Sequence, residues 1–126
     1  MTVEALGRVI DHIEAHLTDD ISVAQMADIA GYSLSYFSHR FREMTHFTPH
    51  DYVLRRRLSE AARELVEGDR RVLEIALDYG FNTPETFSRA FKRVFGVKPY
   101  TWRLRGTLDP THMLAPLNID DRSTHY

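Results

Sequence analysis

Apolar residues recur at helical spacing in successive stretches of this chain. Leu6, Val9, Ile10, Ile13 and Leu17 form one stripe with Thr2 placed as a cap before it, so a helix is expected over 3–17. Ser22 and Gln25 have the spacing of a capping box, with Ile21 and Met26 placed as a staple, and the helix they open stops at Gly31. Ser33 caps the next helix, over 34–44, whose inward face is Phe37, Phe41 and Met44. Thr48-Pro49 opens a long helix to residue 67, turning Tyr52, Leu58, Ala62 and Leu65 toward a core. A short helix over 71–79 ends at Gly80; Thr83 and Pro84 then start a helix over 84–94 with Phe87, Phe91 and Val94 inward. Lys98-Pro99 leads into a last helix near 100–105. Past Gly106 the periodicity fails: Leu114, Leu117 and Ile119 are expected to pack locally, and 120–126 to be disordered.

The pattern is written twice. With 23–32 set over 72–81, Ala27 falls on Ala76, Gly31 on Gly80 and Tyr32 on Phe81. One residue added in the turn brings 37–49 over 87–99, where Phe37, Ser38, Phe41 and Pro49 each meet an identical residue. A helix, a short turn and a second helix with a basic outer face make a helix-turn-helix, and the second helix is shaped for a DNA major groove. Two copies form a duplicated motif, so one chain reaches two stretches of groove without a dimer partner. The long helix of nineteen residues would span about 28 Å. DNA repeats a groove face about every 34 Å, so such a rod suits the holding of both reading helices on one side of a duplex.

The second motif carries a resemblance. Ile75-Ala76, Gly80-Phe81, Phe87-Ser88-Arg89, Phe91-Lys92, Gly96 and Pro99 resemble the DNA-binding domain of the AraC/XylS family of bacterial transcription regulators, over 6–118. The lack of a separate ligand domain and the tail Pro116-Leu117-Asn118 make the chain most similar to the short MarA/SoxS group. The pattern and the resemblance agree on an all-α fold of two helix-turn-helix subdomains (1–47 and 69–106) joined by a linker helix (48–68), and the failing periodicity leaves a tail over 107–126 expected to be partly disordered. The resemblance implies binding as a monomer to an asymmetric double-stranded DNA site, and activation through RNA polymerase more often than repression.

Composition agrees with this once charge is resolved along the chain. The net charge of −2 at first argues against nucleic acid. Residues 1–34 hold one arginine against six acids, whereas 35–63 hold six arginines against three acids. Residues 64–83 are acidic again, and 84–105 hold six lysines and arginines against one acid. Screening limits the reach of a charge to about 8 Å in physiological salt, so local clusters govern contact with phosphate. The plainer alternative is two solvated helix faces. No apolar run approaches a membrane span and no secretory leader is visible. The absence of cysteine fits the cytoplasm.

Glu85, Thr86, Ser88 and Arg89 are the outward positions near the start of the second reading helix, and the resemblance supports them as base-facing. Arginine bridges two acceptors on guanine, and hydroxyls bond either kind of base edge. Glu85 either accepts from cytosine N4 or favours the helix N-terminus. Lys92 and Arg93 lie further along, toward phosphate. The matching positions of the first helix are Leu34, Ser35, Ser38 and His39, of which Ser35, Ser38 and His39 are candidate base readers. Two serines and a histidine form a weaker set, and Tyr36 meets backbone or apolar groups or simply packs. Arg40, Arg42, Arg55 and Arg56 are candidate phosphate partners, although arginines 55–57 cannot all face one way on a helix.

His12 and His16 have the i, i+4 spacing of metal ligands without a third ligand, so no metal or cofactor is expected. No nucleophile stands beside a base, so no enzyme is expected. The rival reading is a helix-turn-helix protein-interaction module with weak or lost DNA reading.

Overall fold

The computed structural model describes residues 1–118, so the expectations for Ile119 and for 120–126 lie outside the described residues. Every regular element is helical: α1 (Val3–Ala15), α2 (Val23–Ala30), α3 (Leu34–Thr45), α4 (Pro49–Glu67), α5 (Val72–Asp78), α6 (Pro84–Phe95) and α7 (Pro99–Arg105), then one 3-10 turn at Pro110–His112. No helix among the described residues is long and apolar enough to cross a membrane. The described residues divide into two compact units, Met1–Val53 with 116–118, and Leu54–Ala115. The division falls within α4, so this helix feeds side chains into both.

In the first unit α1 packs on α2 and α2 on α3. Leu6, Val9, Ile10 and Ile13 of α1 are buried with Met26 and Ala27 of α2 and Phe37 and Phe41 of α3. α1 ends at Ala15, two residues short of the apolar stripe; Leu17 is buried from the segment beyond. Both halves of the capping box at Ser22 and Gln25 are formed, at 3.0 and 3.1 Å. Gly31 follows α2 at φ +83°, a conformation that costs glycine least. The ring of Tyr52 lies edge-on to Phe41 at 5.8 Å, and its hydroxyl accepts from the Leu117 amide at 3.1 Å.

The second unit is built on Leu58, Ala61, Ala62 and Leu65 of α4, Ile75 and Ala76 of α5, Phe87, Phe91 and Phe95 of α6 and Trp102 of α7, all buried. Trp102 stands 5.0 Å from Phe95 and 5.7 Å from Phe91, and its indole N–H donates to the Ala62 carbonyl at 2.9 Å. Arg103 donates to the Leu65 carbonyl at 2.9 Å, filling an acceptor that the end of α4 leaves open. Tyr79 donates to Glu64, and burial together with that carboxylate pushes the phenol well above its usual range.

Two inward faces differ from expectation in the same way. Met44 and Val94 are half-buried, while Thr45 and Phe95, one residue on, are buried. The partners explain the shift: Phe95 turns toward Trp102, and the Thr45 hydroxyl donates to the Phe41 carbonyl at 2.8 Å and accepts from the Phe47 amide at 3.1 Å.

Arg56 requires a correction. It is 2% exposed and is not a phosphate contact. Its guanidinium donates to the Leu114 carbonyl at 2.6 Å and to Glu60 at 3.1 Å. Beside it, Ser59 accepts from the Leu114 amide at 2.8 Å. The segment after the 3-10 turn is thereby pinned to α4 through its backbone, which a tail expected to pack by its leucines did not foretell. Removing Arg56 strands a part-buried carbonyl and a half-buried carboxylate. Arg56→Ala should therefore lose about 2–3 kcal/mol of stability, read as a lower urea midpoint, with the DNA affinity of the folded fraction unchanged.

Candidate nucleic-acid interface

The geometry of α6 follows from its first turn. Thr83 caps the helix by accepting from the Thr86 amide at 3.1 Å, and Pro84 sits at the first helical position. Phe87 and Phe91 have no exposed surface, which fixes the rotation of the helix about its axis. Arg89 lies two positions from each, about 200° around, and is exposed. Glu85, Thr86, Lys92 and Arg93 are exposed with it, and Ser88 is half-buried at the edge of this surface. Among the described residues no carboxylate lies within ion-pair distance of Arg89, Lys92 or Arg93; Glu85, one turn before Arg89, does not engage it. The Thr86 hydroxyl donates to the Thr83 carbonyl at 2.9 Å, so in this arrangement it offers an incoming group acceptor lone pairs only.

α3 repeats this frame with different chemistry. From 33–47 and 83–97 the sequence of buried, half-buried and exposed positions is the same residue for residue. Ser35 and His39 are exposed and Ser38 half-buried, as their twins Glu85, Arg89 and Ser88 are. His46 even reproduces the left-handed residue that ends α6 at Gly96, with φ +67° against +81°. Tyr36 is exposed by 44%; its ring lies 4.9 Å from Tyr32 and its hydroxyl accepts from the amino terminus at 2.9 Å.

The basic residues of α3 are less free than those of α6. Arg40 donates to Glu43 at 2.7 Å, and His39 Nε2 lies 3.4 Å from the other oxygen of that carboxylate. The Arg40 bond and the nearby His39 hold the Glu43 carboxyl below its usual range. Arg42 is exposed. Arg55 is half-buried on α4, with Nη2 3.5 Å from the His112 carbonyl and Nε enclosed without a partner. Glu43 was not among the expected site residues. Its distance of three residues from Arg40 and four from His39 is the signal that could have found it.

His12 and His16 stack on each other at 4.2 Å, and His16 Nδ1 lies 2.8 Å from the His12 carbonyl. Both are thus engaged within α1 and its cap. Burial, with the neighbouring His16, lowers the His12 pKa.

Residues 26–105 match a helix-turn-helix domain family. Regulatory protein SoxS of Escherichia coli K12 is 38% identical over 97 residues, covering 77% of this chain and 91% of SoxS. An AraC-type transcriptional regulator from Chromobacterium violaceum has the same fold, with a TM-score of 0.77 at 23% identity over 82% of this chain and 93% of that one. The DNA-binding domain of AdpA, a global transcriptional factor solved in complex with a target DNA, superposes with a TM-score of 0.70 at 28% identity, covering 81% of this chain and 88% of that one.

The exposure and freedom of the α6 cations generate a contrast between two substitutions. Arg89→Ala should lose about 1–3 kcal/mol on the preferred site and relax the preference at one guanine. Lys92→Ala should weaken all sequences alike and reduce the salt slope by about one unit. Titration against single-base variants of one site, with melting curves as control, separates them; unchanged discrimination at every base would reject Arg89 as a reader.

Proposed function

The chain belongs to the AraC/XylS family of helix-turn-helix transcription regulators, and on that premise we propose that it reads double-stranded DNA through α3 and α6, one major-groove segment each. Membership makes it a DNA-binding regulator of transcription. The outward surface of α6 carries the finer reading: Arg89, Lys92 and Arg93 stand exposed, with no ion-pair partner among the described residues, on a helix whose rotation is set by two buried phenylalanines. A guanidinium near the helix start suits guanine, and the later cations suit phosphate. The AdpA domain, similar over most of its length, is bound to a target DNA, which supports the same role here.

In this reading Glu85, Thr86, Ser88 and Arg89 face bases from α6, and Ser35, Ser38 and His39 from α3. Lys92, Arg93, Arg42 and, once freed from Glu43, Arg40 meet phosphate. Arg55 contributes only if its guanidinium leaves the His112 carbonyl. Because the motif is duplicated within one chain, a monomer suffices for an asymmetric site. Activation through RNA polymerase bound beside that site, in the cytoplasm, completes the proposal.

Two measurements test it. Each neutralised phosphate contributes about −0.9 to the slope of log K against log salt, so binding should fall steeply as salt rises despite the net charge of −2. A slope near zero would remove the reading altogether. The halves should also be unequal: randomising the half-site read by α6 should abolish more binding than randomising the half read by α3. Fewer tolerated substitutions in the α3 half would reverse that ranking.

A further inference from the structure

We propose that Glu43 is an intramolecular stand-in for phosphate that holds down the DNA affinity of the first reading helix, an inference that rests on the reading of α3 as a DNA-facing helix. Glu43 lies on the same outer surface as His39: counted at 100° per residue, the two are within a few tens of degrees of the direction opposite Phe37 and Phe41. Its carboxylate takes a hydrogen bond from Arg40 at 2.7 Å and lies 3.4 Å from His39. All three side chains remain open to solvent, at 49% for Glu43, 33% for Arg40 and 71% for His39, so this is a surface arrangement and not a core pair.

The duplication supplies an internal control. The position equivalent to Glu43 in α6 is Arg93, exposed and without an ion-pair partner among the described residues. Where one copy of the motif offers a cation to an approaching backbone, the other offers an anion already bound to the nearest cation. A phosphate reaching Arg40 must displace this carboxylate and tolerate its charge. Exposure and solvent screening make the pair weak enough to be displaced, so Glu43 tunes binding without forbidding it. The sequence-independent part of affinity suffers most, because that part is carried by phosphate contacts. Glu43 therefore acts to favour the correct site over bulk DNA.

The test uses the full chain, a selected duplex site and an unrelated duplex of equal length. Glu43→Gln should bind both more tightly, with the larger improvement on the unrelated duplex. Each further phosphate neutralised steepens the salt slope by about 0.9, so with Arg40 released the advantage over the parent should grow about three- to fourfold between 0.2 and 0.05 M salt. Glu43→Arg, which copies the residue type of its twin, should go further. Arg40→Ala should matter little in the parent and more beside Glu43→Gln. If Glu43→Gln and Glu43→Arg match the parent in affinity and slope while Arg89→Ala weakens binding, the proposal falls and the DNA reading stands. Equal improvement with and without Arg40 would reject the stand-in role in favour of simple repulsion. Salt-independent binding by the parent itself would overturn both.

Discussion

Four phenylalanines decide which residues of this protein meet the outside. Phe37 and Phe41 on α3, and Phe87 and Phe91 on α6, are wholly enclosed. Each pair is spaced by four, so its rings lie 5.6 Å apart on one side of the helix in both copies. A helix with two such anchors cannot turn about its axis without exposing aromatic surface, a loss of several kcal/mol. The placement of every outer residue, from Arg89 to Glu43, depends on this lock. The caps at Ser33 and Thr83 set where each helix begins; the phenylalanines set which way it faces.

α4 depends on the opposite kind of interaction. Its apolar side chains serve the cores, but its polar groups are also in use. Tyr52 and Ser59 accept backbone amides, Arg56 donates to a backbone carbonyl, and the Ala62 and Leu65 carbonyls take bonds from Trp102 and Arg103. A buried polar group without a partner is costly, and a carbonyl has two lone pairs, so these contacts need not disturb the helix's own ladder. Among the described residues the exception is the enclosed Arg55 Nε.

The fold was legible because its signals are local. Caps, turn glycines and apolar periods act over a few residues, and they placed every helix within about two residues of its ends. The α6 surface was legible for the same reason: once Phe87 and Phe91 are inward, the position of Arg89 is arithmetic. Long-range contacts were not. Nothing near Arg56 announces that its partner lies at Leu114, and an arginine within a run of three reads most simply as a surface cation. The inward faces slipped from Met44 to Thr45 and from Val94 to Phe95 because Phe47 and Trp102 lie on that side, which periodicity alone does not contain. Glu43 was hidden differently: its partners sit within one turn of it, but a lone carboxylate in a basic stretch reads most simply as a solvated side chain.

The identical burial of 33–47 and 83–97 bears on which substitutions the fold tolerates. The two copies enclose the same slots, although Thr45 answers to Phe95, while their outer slots carry different residues: His39 against Arg89, Glu43 against Arg93, Ser35 against Glu85. Substitution at those outer slots leaves the cores untouched, so either surface can change its chemistry without loss of the fold. The repeat thus separates two demands: the enclosed slots secure folding twice over, and the outer slots are left to differ in charge and shape.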